Sequence, residues 1–308
     1  MLHFRNTRDV LVSRVYGCHL GVFRRFGRVL GSWFLALGTA LFAVSCADPL
    51  PENPAEYEPY QASELEPLDC VPNLDGQIDA DELTEQVGVP VRFLVSPEGE
   101  HRPVDLVGER RGDLYLWDWS HEMPGDQVAT LEADPLEGKW YADDFPGGQF
   151  VAPFDLGGTT VAIYSRTEDA LRLHGVASRE EDGPTGKTLL PYESPVELYR
   201  FPLQPGRDWI SVGRVSDGTF RGSPYAGRDT YEVKVAAMGE LVLPDLTFEQ
   251  AHKVHTKVTI EPAAGQTTTT RQTSFLFECF GEVARATSQA GENDEDFNTA
   301  AEVRRLGF

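Results

Sequence analysis

Basic residues are in short supply: 27 Lys and Arg stand against 49 Asp and Glu, a formal net charge of −22 over 308 residues. Binding to nucleic acid requires a surface that neutralises phosphates, so this balance excludes that class of partner. Cysteine is scarce, with 4 in all, and no Met lies between Met1 and Met123. Helix signals are sparse, and no internal repeat is present. Gly-x-Ser-x-Gly does not occur, His121-Glu122 lacks the second His of a zinc-protease helix, and Gly186-Lys187-Thr188 has Glu181 where a phosphate-binding loop needs Gly. His252 and His255 have no third ligand following them, and on a strand one points away from the other. With 41% hydrophobic and 25% charged residues, the chain is neither disordered nor collagen-like.

The N-terminus carries the most information. Residues 1–45 hold six Arg and one acid, Asp9. After Arg28 comes the uncharged run VLGSWFLALGTALFAVS, and then Cys46. A basic region, an apolar segment and small residues at a processing point form an export signal. Ala43-Val44-Ser45 before Cys46 resembles the lipobox of bacterial lipoproteins, with Ala43 where Leu is usual, and the resemblance implies that the Cys46 thiol receives a diacylglycerol. Several acyl chains hold a protein to a bilayer almost permanently, since each buried CH2 contributes about 0.8 kcal/mol. Two readings stand beside this one: an uncleaved membrane anchor and an ordinary cleaved signal. The run to Cys46 exceeds the ~15–30 residues of secretory signals; a later translation start is the alternative to one at Met1, and it would need a non-standard initiation codon near Gly21 or Val22. Arg24-Arg25 is not a twin-arginine signal, because Gly27 and Arg28 replace its apolar residues. Ala47 carries no inner-membrane retention signal of the Asp type, which directs the expectation to the outer membrane.

Residues 47–69 contain five Pro, seven acids and no Lys or Arg, the composition of an extended, self-repelling tether. The expected organisation is therefore a signal peptide at 1–45, a lipidated Cys and acidic tether at 46–69, and a single β-rich domain at 70–308. Period-two alternation dominates that domain. Val233 and Val235 alternate with Glu232 and Lys234, and Val254, Thr256, Val258 and Ile260 alternate with His255, Lys257 and Thr259, so both stretches read as half-buried strands. Pro262-Ala263-Ala264-Gly265 then turns the chain into an antiparallel hairpin. Further strands are expected at 91–96, 103–107, 113–119, 159–165, 170–177 and 195–201, with short helices at 79–87 and 246–252 and a helical turn at 298–306. The fold class is mainly β, an antiparallel open barrel or sandwich with few short helices.

Cys18 falls in the signal and Cys46 at the lipid site, which leaves Cys70 and Cys279 as the pair in the folded part. Export places them in an oxidising space, where a disulfide is expected; two separate buried thiols are the alternative. The stretch from Val71 to Glu82 resembles a calcium loop of the EF-hand kind. Asn73, Asp75 and Gly76 fit positions 3, 5 and 6, Gln77 lends position 7, and Ile78, Asp79 and Glu82 fit 8, 9 and 12. Position 1 is Val71, so a carboxylate is missing unless Asp69 substitutes. The competing reading is a tight Asp-Gly turn running into a helical turn capped by Asp79, with Glu82 as its capping-box partner. Tyr115, Trp117 and Trp119 share one strand face; such a row binds sugars or lipid-like ligands when exposed and fills a core when buried.

Phe201-Pro202-Leu203-Gln204-Pro205-Gly206-Arg207-Asp208-Trp209 resembles the Pro-Leu-x-x-Gly-x-x-Trp segment of exported bacterial β-proteins of unknown function. Phe277-Glu278-Cys279-Phe280-Gly281-Glu282-Val283 is similar to their closing strand, with Cys279 departing from the apolar pattern. Together with the lipobox, the chain resembles bacterial lipoproteins of this kind, some of them curved sheets like the lipoprotein-carrier half-barrels. The resemblance implies a β architecture and an exported location, and no activity. The functional expectation is a lipid-anchored, non-enzymatic binding or structural protein of the cell envelope, its partners the membrane, envelope proteins or an apolar ligand. The alternative is an envelope hydrolase with a carboxylate-based site. Two converging carboxylates of separated pKa in a pocket mark the hydrolase, and an apolar, aromatic pocket marks the binder.

Overall fold

The computed structural model describes residues 70–83, 87–155 and 157–307. The export signal at 1–45, the lipid site Cys46, the tether at 46–69 and Asp69 lie outside the described residues. The strands, in chain order, are β1 Val91–Val95, β2 Arg102–Pro103, β3 Glu109–Arg111, β4 Leu114–Asp118, β5 Gln127–Leu131, β6 Asp134–Pro135, β7 Phe150–Pro153 and β8 Thr160–Arg166. They continue with β9 Ala170–Ser178, β10 Leu189–Arg200, β11 Asp208–Phe220, β12 Ser223–Val242, β13 Thr247–Pro262, β14 Thr268–Phe277, β15 Gly281–Ser288 and β16 Thr299–Leu306. All sixteen belong to one open sheet, whose main path runs β5-β1-β16-β15-β14-β13-β12-β11-β10-β9-β8-β7-β6. Neighbours along that path pair antiparallel; β4 lies off it and pairs parallel with β12. The mainly β, antiparallel, open architecture is the one the alternation predicts.

The long strands form where alternation is strongest. On β11, Trp209, Gly213 and Val215 turn inward while Ile210, Val212 and Arg214 face water, the pattern of a sheet with one buried face. On β12, Tyr231, Val233 and Val235 join one core, whereas Leu241, of the same parity, joins another. The register shift against β13 between Val235 and Ala237 explains the switch, since the one extra residue on β12, Ala236, flips the side chains that follow to the other face. On β14, Leu276 packs in the first core and its neighbours Phe275 and Phe277 in the second. Successive strand residues point to opposite faces, so the two cores lie on opposite sides of the sheet.

The sheet is curled as well as long. Tyr199 on β10 lies close enough to Ser274 on β14 for the two side chains to interact, although three strands lie between them on the path. Four steps at ~4.8 Å would separate them by ~19 Å in a flat sheet, so the contact requires the sheet to fold back on itself. Trp117 and Trp119 are each 1% exposed and meet Phe275 edge-on, at 5.0 and 5.1 Å between ring centroids. The aromatic row therefore fills a core, with Tyr115 stacked at its margin.

Four expectations about local structure are corrected. Residues 247–252 open strand β13, and 299–306 form β16, where helical structure was expected. The stretch at 80–83 is a tight turn and bend, and residues 84–86 lie outside the described set. Of the strand expected at 103–107, only Pro103 enters the sheet, at the end of β2. The described residues contain one short 3-10 turn, Ala142–Asp144, and no helix long and apolar enough to cross a membrane.

Candidate functional site

The segment that leads into the sheet is strapped onto it at several points. Cys70 and Cys279 form a disulfide across 209 positions. The Cys279 N–H donates to the Glu82 carbonyl at 2.6 Å. Ile78, fully buried, exchanges two backbone hydrogen bonds with Leu203, at 2.9 and 2.8 Å. Gln250 Nε2 donates to the Leu74 carbonyl at 2.9 Å, and His252 Nε2 lies 3.2 Å from the Gly76 carbonyl. Gly76 sits at φ +90°, a left-handed conformation that favours glycine and makes the sharp turn.

All five residues proposed from sequence as oxygen ligands, Asn73, Asp75, Gln77, Asp79 and Glu82, gather in this loop. Asn73 Oδ1 accepts the Asp75 N–H at 2.8 Å, and Asp75 Oδ1 accepts the Gln77 N–H at 3.1 Å. The Gln77 amide lies between two carboxylates, 3.5 Å from Asp75 Oδ2 and 3.3 Å from Asp79 Oδ2. Glu82 is buried, with Oε1 accepting from Asn73 Nδ2 at 2.6 Å and Oε2 from the Asp79 N–H at 2.9 Å. The second of these is the returning arm of a capping box. Among the described residues, no three His, Cys, Asp or Glu side chains stand as a ready ligand set for a metal ion.

Sequence reasoning missed a sixth member, Glu278, which is 2% exposed. Its Oε2 accepts the N–H groups of Asn73 and Leu74, at 2.6 and 2.9 Å. Its Oε1 is buried with no hydrogen-bond partner. Glu278 immediately precedes Cys279, and that adjacency to the cystine was the available signal. Burial raises the pKa of Glu82, and the like charges of Glu278, Asp79 and Asp75 add to the effect against the lowering by the Asp79 N–H.

A second polar region lies where β11, β12, β13 and β14 present charged side chains to a groove of about 420 Å³. Lys234 pairs with Glu295 at 2.8 Å, and Lys257 with Glu232 at 2.6 Å. Lys253, buried below the groove, bonds Asp296 at 2.6 Å and the Leu106 carbonyl at 2.5 Å. Burial and the Lys253 charge push the neighbouring His255 down to about 4. The groove is neither a pair of converging carboxylates with separated pKa values nor an apolar pocket. His252 and His255 serve different surroundings, the loop carbonyl and the Lys253–Asp296 pair. A Ser–His contact also occurs, Ser165 Oγ to His174 Nε2 at 2.7 Å; among the described residues no hydrogen bond orients the other ring nitrogen.

The cystine, the loop and Glu278 thus form one clasp at the start of the folded part, and comparison with known proteins adds no template for it: the chain matches no protein family, no curated protein and no solved structure.

Proposed function

We propose that the chain is an exported, lipid-anchored protein of the cell envelope that binds or scaffolds and does not catalyse. In this reading residues 1–45 are removed, Cys46 carries the lipid, 47–69 is the tether, and 70–308 is the domain held away from an outer-membrane surface. The observation that carries it is the Cys70–Cys279 disulfide, because a cystine of this separation persists in oxidising, exported compartments. It also lies where an anchored chain needs reinforcement, at the junction between tether and sheet.

The disposition of the acids favours binding over carboxylate catalysis. Glu82, Glu232 and Glu295 are engaged by internal hydrogen bonds or ion pairs, which leaves them poorly placed to act as a glycosidase-type acid and base. Partners of this reading are the membrane, other envelope proteins or an apolar ligand.

Fractionation of cells expressing Cys46→Ser tests it. The variant is expected in the soluble exported fraction, with the native chain in membranes. Retention of the variant in membranes after a carbonate wash would overturn the lipid anchor.

A further inference from the structure

We propose that Glu278 completes a calcium site with the Asn73–Glu82 loop, supplying the carboxylate that the loop lacks at its first position. The proposal does not depend on the lipid anchor.

The loop has oxygen ligands at positions 3, 5, 9 and 12, a carbonyl at 7, a left-handed Gly at 6 and a buried apolar residue at 8. Its first position is Val71, 68% exposed, which has no side-chain oxygen. Glu278 delivers a carboxylate to that end of the loop from 205 positions away, fixed there by the neighbouring Cys279–Cys70 bridge. Oε2 is held by two loop N–H groups, while Oε1 is buried in the same place without a donor. A buried carboxyl oxygen without a partner calls for an explanation, and a bound cation is one that would supply the partner.

Two further features agree. Glu82 and Glu278 are both buried, and both are tied to Asn73, whose side-chain amide serves Glu82 and whose N–H serves Glu278. The Gln77 amide points its donors between Asp75 and Asp79, the place where a cation would bridge two carboxylates. Loading requires that amide to swing away and the carboxylates to turn inward. Asn73, Asp75, the Gln77 carbonyl, Asp79, Glu82 and Glu278 then offer oxygen alone, a donor set that suits a hard cation with adaptable coordination, calcium ahead of magnesium or zinc. The cost of rearrangement points to an affinity in the range of extracellular modules, Kd of about 10⁻⁴ to 10⁻³ M.

The test is calorimetry of the full chain, purified in detergent, titrated with calcium chloride and separately with magnesium chloride at matched ionic strength. The native chain should melt at rising temperature as calcium is added and respond little to magnesium. Glu278→Gln keeps an oxygen for the Asn73 and Leu74 N–H groups and places donors beside Glu82. It should melt no lower than the native chain without calcium and bind calcium at least tenfold more weakly. Asp75→Asn, at an exposed position, should lose the response as well and serves if Glu278→Gln fails to fold. Asp208→Asn, in the groove, should keep the response. A native chain whose melting is the same in calcium and magnesium would overturn the site. A Glu278→Gln chain that responds as the native one does would remove Glu278 from it.

Discussion

Glu278 accepts the backbone N–H of Asn73 at 2.6 Å, joining two residues 205 positions apart. One lies just past the start of the described chain and the other at the turn after β14. With the cystine beside it, this hydrogen bond fastens the segment that follows the tether to the middle of the sheet. Several consequences are open to measurement.

Loss of the cystine should loosen the whole described region. Closing a loop of this length contributes about 5 kcal/mol in the chain-entropy account, and removing a native bridge costs about 2–5 kcal/mol. Urea unfolding with and without reductant should show a loss in this range, and non-reducing mass mapping should join the Cys70 and Cys279 peptides. Alkylatable thiols at both positions in the exported protein would contradict the bridge.

Trp117 and Ile210 are both large strand residues on opposite sides of the burial divide, at 1% and 63% exposure. Trp117→Ala should cost about 3–5 kcal/mol by emptying the contact with Phe275. Ile210→Ala should stay within about 0.5 kcal/mol. Equal effects in urea unfolding would contradict the assignment of the aromatic row to a core.

Gly239 lies against the backbone of β4. A Cβ there would meet the Tyr115 carbonyl oxygen at 2.1 Å, so Gly239→Ala must push the parallel β4–β12 pair apart. A loss of about 1–3 kcal/mol is expected. A neutral result in thermal unfolding would place β4 elsewhere.

Acid should destabilise the fold through His255. Its pKa is pushed down to about 4 by burial and by Lys253, with Asp296 and Glu295 opposing; the unfolded chain takes its proton near 6.5. Between those values the unfolded state binds more protons, so the stability is present above about pH 6.5 and is lost as the pH falls toward 4. The slope is about 1.4 kcal/mol per pH unit for one group. Burial depresses His252 and His174 in the same direction. Urea midpoints from pH 7.5 to 4.5 should fall, and His255→Gln should flatten the fall. A native profile that rises on acidification would contradict the assignment.

Much of the sheet was legible because one-sided burial writes itself as alternation: β12 and β13 follow directly from Tyr231–Val235 and Val254–Ile260, whereas β11, Asp208–Phe220, was not among the expected strands although Trp209–Val215 alternates in the same way. The disulfide followed from assigning Cys18 and Cys46 to the export segment. Two of the misread stretches, 246–252 and 298–306, share one cause. Ala300, Val303 and Leu306 recur every third residue, as on a helix, yet Arg304 and Arg305 between them are buried too, on a strand covered on both faces. Phe248 and Ala251 show the same false period in a strand that becomes buried on both faces further along. Glu278 was hidden because its partners are separated from it by nearly the whole domain, and only the folded register brings them together.

The lipid anchor is the claim on which the functional reading turns, and the N-terminal peptide of the mature protein tests it most directly. Mass spectrometry of protein isolated from the membrane should find a chain that begins at Cys46 and carries the added mass of a diacylglycerol and acyl chains. A mature chain that begins elsewhere, or an unmodified Cys46, would contradict it.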